Sequence, residues 1–181
     1  PDSFESFRNA VIVNEEQHIE DVVAYQALTD DYKTALESWE DIDNFEDFMV
    51  AYKASSELKE SIQQSATNYA NYIKTCEAAA EYLAENTLEG TWSDFLKTYL
   101  EDAIEPTTDY PNGTYPYITD NLNLDDEALA AEIAFVNQML ENAIAGGVTA
   151  GTEITRLMAN STFADGIEGW TTEEGGMAIT T

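Results

Sequence analysis

Apolar and aromatic residues recur at intervals of three and four through most of this chain, the spacing that gathers them on one face of an α-helix. Between Ser3 and Glu40 the run is Phe4, Phe7, Val11, then Val22, Tyr25, Leu28, Tyr32, Leu36 and Trp39. The β-branched step Val11-Ile12-Val13 followed by Asn14 is poor helix sequence, so the pattern predicts a short first helix and a longer one starting near Asn14. His18 is placed on the apolar side of this segment, where a single histidine without a Cys or a second His reads as a packing residue rather than a zinc ligand.

A further helix is predicted from Asn44, an N-cap residue followed by Phe45 and by Glu46 and Asp47 at the positive helix end. Its stripe runs through Phe45, Phe48, Met49, Tyr52, Leu58, Ile62, Ala66, Tyr69, Ile73, Cys76, Ala80 and Leu83. Unbroken to Glu85 it would measure about 63 Å at 1.5 Å per residue, too long for a small domain. A break at Ser55-Ser56 is therefore expected. Leu88-Glu89-Gly90 is a stop signal, and Thr91-Trp92-Ser93-Asp94 opens a short helix with Phe95, Leu96, Tyr99, Leu100 and Ile104 on its stripe, ending before Pro106. The last helix is capped by Asn123 or Asp125, carries Leu129, Ile133, Val136, Leu140 and Ile144 as its stripe, and stops at Gly146-Gly147. Leu129, Ile133, Val136 and Leu140 are expected to be buried together with Phe95, Tyr99, Ile62, Tyr69 and Ile73. After Gly151 the sequence turns to Thr, Gly and single apolar residues, and Gly175-Gly176 reads as a hairpin turn.

The pattern thus predicts an all-α, antiparallel helical bundle over residues 1–150, with a short extended or β-hairpin stub over residues 151–181. Against 36 acidic residues stand 7 basic ones, a formal charge of −29. Such a surface repels phosphate backbones and anionic membranes, which argues against nucleic acid as a partner. The acids fall between apolar residues at helical spacing, as on solvated helix faces. No Asp-x-Asp-x-Asp-Gly loop with a later Glu points to calcium, and Asp30-Asp31, Asp41/Asp43 and Asp125-Asp126-Glu127 sit where helix ends are predicted. The single Cys76 excludes an internal disulfide and lies in an apolar helical run. No run of 18 apolar residues is present to span a membrane.

Nothing in the sequence carries a nucleophile motif, a phosphate loop or a Cys/His cluster, so neither an enzymatic activity nor a cofactor nor a metal site is expected. The segment most suited to binding is 105–124, where Pro106, Pro111 and Pro116 stiffen a long connection and Tyr110, Tyr115 and Tyr117 offer flat faces to a sugar ring.

The residues Asn160, Phe163, Gly166, Gly169 and Trp170, within Thr152-Glu153-Ile154 to Gly169-Trp170, resemble the opening of jelly-roll carbohydrate-binding-like modules of secreted bacterial proteins. Pro111-Asn112-Gly113-Thr114-Tyr115 followed by the Asp125-Asp126-Glu127-Ala128-Leu129 helix start is similar to helical regions that precede such modules in Bacteroidetes surface proteins. The resemblance implies a secreted or outer cell-surface location, a glycan as the partner, and further strands of the module beyond Thr181, since a jelly roll needs about eight. The lack of an initiator Met at Pro1 agrees with cleavage after a leader. Two readings of function follow: a non-catalytic helical spacer or interaction module ahead of a β-sandwich, or a helical module that itself binds a glycan or small ligand through the Tyr110 to Tyr117 loop. Two strands with unpaired edges are further expected to pack on the helices or to pair with a second copy, giving a tail-mediated dimer.

Overall fold

The computed structural model describes residues 3–90, 93–104, 122–152, 170–173 and 176–179. Its elements are α1 (Phe4–Glu20), α2 (Gln26–Trp39), α3 (Phe45–Ala54), α4 (Ser56–Glu85), α5 (Ser93–Ile104), α6 (Asp126–Ala145), β1 (Trp170–Glu173) and β2 (Gly176–Ile179). The protein is all-α with a C-terminal hairpin. The strands pair antiparallel, Trp170 opposite Ile179. The chain divides into two compact units, Pro1–Glu77 with Pro116–Ile133, and Ala78–Tyr115 with Ala134–Thr181.

In the first unit, α1 starts where the Ser3 side chain accepts from the Ser6 amide. It then runs through Val11-Ile12-Val13 and Asn14 without the interruption their propensity suggested. The β-branched cost is a few tenths of a kcal/mol per residue. Burial of Ile12 and Ile19 on one face outweighs it. The true break lies at 21–25. There the amide of Tyr25 is held by Ser65 Oγ at 2.8 Å and that of Gln26 by the Leu122 carbonyl at 2.6 Å, so α2 begins without a side-chain cap of its own. Distant residues thus satisfy two amides at the helix start that have no partner within the helix.

Helix α3 begins as expected, with Asn44 Oδ1 accepting from the Asp47 amide at 2.9 Å. The break at Ser55 is also present, and Ser55 is buried there. Directions follow from the contacts. Phe4 and Phe7 at the start of α1, and Trp39 at the end of α2, all meet Phe48 near the start of α3, ring centroids 5.6–5.9 Å apart. Glu15, later in α1, meets Tyr32 in α2 and Lys59 in α4. Thus α1, α2 and the α3–α4 pair alternate in direction. The edge-to-face rings around Phe48 seal one end of a core built from Ile12, Ile19, Ala24, Tyr32, Leu36, Trp39, Phe48 and Ile62.

The second unit buries Ala79 of α4, Leu96, Leu100, Ala103 and Ile104 of α5, and Val136, Met139 and Ala143 of α6. The stripe of α6 differs from the predicted one. Leu129 and Val136 are buried as expected, but Met139, Asn142 and Ala143 follow them, while Ile133 and Leu140 are half-buried and Ile144 is 62% exposed. Phe95, Tyr99 and Ile73 are likewise half-buried, whereas Ile62 and Tyr69 lie fully inside. At 3.6 residues per turn, 129, 136, 139 and 143 share a face as well as 129, 133, 136, 140 and 144 do, so the choice belonged to packing rather than to period. Asp125 caps α6 through Oδ1, which accepts from the Ala128 amide at 2.9 Å. At the other end the Gly147 amide reaches back to Asn142 O and the Gly146 amide to Ala143 O, with Gly146 at φ +68°. That paired closure with a left-handed glycine is the commonest way to end a helix.

Candidate functional site

Glu15 falls on the same face of α1 as Ile12 and Ile19, one turn from each, and that register carries a carboxylate into the core with 6% of its surface exposed. Its Oε1 accepts from Lys59 Nζ at 2.7 Å and its Oε2 from the Tyr32 hydroxyl at 3.0 Å. The Lys59 ammonium also stands 5.3 Å from the centre of the Tyr52 ring, whose face attracts a cation. Burial pushes the Tyr32 phenol well above its ordinary value, and the hydrogen bond and negative charge of Glu15 push it further. The phenol therefore stays a donor. Both carboxylate oxygens are engaged, which satisfies the charge and joins α1, α2 and α4.

A second polar cluster stands at the end of α6. Asn142 is 1% exposed, and its Oδ1 accepts from the Thr149 amide at 2.9 Å and the Thr149 hydroxyl at 2.8 Å. Gln138 Nε2 donates to the same hydroxyl at 2.8 Å. Asn142 Nδ2 is buried and has no hydrogen-bond partner among the described residues. An unmade buried bond of this kind costs about 1–3 kcal/mol.

Hollows open on the surface of the described residues. One, of about 420 Å³, lies between the end of α4 and the start of α5, lined by Leu83, Glu85, Asn86, Ser93, Asp94 and Lys97 among others. Another, of about 470 Å³, is bordered by Arg8, Ile12, Val13, Glu16, Glu40 and Asp41. Arg8 is tied there, donating from Nη1 to the Ile42 carbonyl at 2.8 Å. Among the described residues no group of three or more His, Cys, Asp or Glu could hold a metal ion, and no helix is long and apolar enough to cross a membrane.

Tyr110, Tyr115 and Tyr117, named as ligand candidates from the sequence, lie outside the described residues, as do Asn160, Phe163, Gly166 and Gly169 of the jelly-roll-like run. Trp170 opens β1. His18 is exposed rather than on the buried face, because α1 runs straight through Asn14 and turns positions 12, 15 and 19 inward instead. Cys76 is buried as expected, and burial pushes its thiol up to about 12.

Sequence reasoning missed Glu15, Lys59 and Asn142. An acid lying midway between Ile12 and Ile19 at helical spacing was a legible signal for the first. Nothing local announces its pairing with Lys59, 44 residues on. No protein-family model, curated protein or solved structure matches the chain.

Proposed function

We propose that the chain is a non-catalytic helical spacer or interaction module of a secreted or cell-surface bacterial protein, set ahead of a carbohydrate-binding-like β-sandwich. The observation that carries the first half is the Glu15, Tyr32 and Lys59 cluster. Its charged and hydroxyl groups are bonded to one another across three helices, so they hold the body together and present no free acid, base or nucleophile to a substrate. The run from Asn160 to Trp170 supports the second half through its resemblance to the opening of jelly-roll modules. The acidic balance of 36 to 7 supports a solvated body that repels nucleic acid and anionic lipid surfaces.

A glycan panel tests this reading. The chain and a variant carrying Tyr110→Ala, Tyr115→Ala and Tyr117→Ala are both expected to bind nothing, while a longer chain continuing past Thr181 is expected to bind. Binding by the 181-residue chain that disappears in the triple variant would move the function to the tyrosine loop and overturn the spacer reading.

A further inference from the structure

We infer that residues 146–152 are a locked joint rather than a flexible tether, and that the buried carboxamide of Asn142 is the latch that closes it. Composition argues for the opposite. Gly146-Gly147-Val148-Thr149-Ala150-Gly151-Thr152 has three glycines in seven residues and reads as a soft linker. Yet the chain here makes two successive reversals, each fixed by hydrogen bonds.

The first reversal is the closure of α6, in which the Gly147 and Gly146 amides bond back to Asn142 O and Ala143 O. The second is a tight turn over 149–152. There the Thr152 amide and hydroxyl both donate to the Thr149 carbonyl, at 3.3 and 2.9 Å, and Gly151 takes the positive φ of +91° that a turn of this kind demands. Between them sits the latch. Asn142 Oδ1 takes the Thr149 amide and hydroxyl, while Gln138 Nε2 anchors that hydroxyl from one turn further back. Thr149 is thereby laid against the last two turns of α6.

The role requires the side-chain amide of this residue. Thr149 N–H lies past the helix end, and the Asn142 side-chain carbonyl accepts from it where a backbone carbonyl would inside a helix. The carboxamide cannot be turned over, because its NH2 would then face the Thr149 N–H, donor against donor. Its own Nδ2 has no partner among the described residues. A helix that needed only an apolar residue at 142 would avoid that cost, so the carbonyl function explains why an asparagine sits in the buried stripe. The joint fixes the direction in which the chain leaves α6. Its use rests on the spacer reading, since a stiff exit gives a module placed after it a defined position, but its geometry does not.

Backbone nitrogen relaxation on the full chain tests the joint directly. Amides at 147–152 are expected to show order parameters of about 0.85, like those of a rigid helix, against values under about 0.6 for a free linker. In Asn142→Ala the values at 149–152 are expected to fall below about 0.6 while those of α6 before residue 142 hold. Low values in the unaltered chain, or unchanged values in Asn142→Ala, would overturn the proposal. If Asn142→Ala fails to fold, Thr149→Val decides. It removes the hydroxyl between Gln138 and Asn142 and is expected to lower the order at 149–152, and no change there would count against the latch. Glycan binding by the 181-residue chain would sink the spacer reading while leaving these relaxation values where they are.

Discussion

The hydroxyl of Tyr69 donates to the carbonyl of Leu124 at 2.9 Å and accepts from the amide of the same residue at 3.0 Å. One phenol in the middle of α4 thus satisfies both backbone groups of a residue 55 positions away, at the threshold of α6. Burial, as the largest cause, raises the Tyr69 pKa, so the hydroxyl keeps the proton it donates. Tyr69→Phe is expected to cost about 1–3 kcal/mol, because it strands an amide and a carbonyl together. Urea denaturation followed by helical circular dichroism would measure it, and a loss below about 0.5 kcal/mol would mean that water replaces the phenol.

Glu15→Gln leaves Lys59 facing a neutral amide. Lys59 keeps 32% of its side chain exposed and can turn partly to solvent, so the expected loss is about 1–3 kcal/mol, short of the figure for a fully buried pair. The triple change Glu15→Leu, Tyr32→Phe and Lys59→Met removes both charges and the hydroxyl that Glu15 accepts from, and is expected to recover most of that loss, since a buried polar cluster replaced by well-packed apolar residues is often neutral. A triple variant less stable than Glu15→Gln would show that the cluster contributes more than the compensation of its own polar groups.

Leu129 and Ile144 belong to one stripe by period and to opposite environments in the structure, 0% and 62% exposed. Leu129→Ala is expected to cost about 2–5 kcal/mol and Ile144→Ala less than about 0.5 kcal/mol. Equal effects in denaturant melts would refute the face assigned to α6.

Alkaline pH should destabilise the fold through Cys76. Its thiol is raised from the ordinary value of 9.0 to about 12 by burial, while an unfolded chain loses the proton near 9. Between those values the unfolded state binds fewer protons than the folded one. Stability therefore falls as pH rises, by at most about 1.4 kcal/mol per unit from this group, with no contribution below the ordinary value. Tyr32 and Tyr69, both raised, add to the fall at the upper end. Cys76→Ala is expected to show a flatter stability profile above the ordinary thiol range, and an unaltered slope would remove the thiol from the account.

What the sequence made legible was local. The cap at Asn44, the cap at Asp125, the break at Ser55 and the stop at Gly146-Gly147 each depend on a few adjacent residues, and each is present. What it hid was relational. The break at 21–25 depends on Ser65 and Leu122, and the burial of Glu15 on Lys59 and Tyr32, none of which a window of ten or fifteen residues contains. Asn142 was hidden for another reason: its partner Thr149 is only seven residues on, but lies past the helix end in a stretch whose glycines suggest looseness. The tyrosine loop proposed as a binding site falls outside the described residues, so its role rests on the sequence.

The cluster around Phe48 in the first unit is drawn from a single stretch of chain, Ile12 to Ile62. Contacts between near neighbours in sequence need little loop closure and form early. A nascent chain emerging from a ribosome would therefore hold every member of that cluster before Tyr69 could find Leu124. Vectorial synthesis and the order of assembly then agree, with α1 to the first turns of α4 collapsing as a nucleus onto which the later chain condenses. Pulsed hydrogen exchange during refolding is expected to protect amides of α1 and α2 ahead of that of Leu124, and the reverse order would mean that the long-range tie leads.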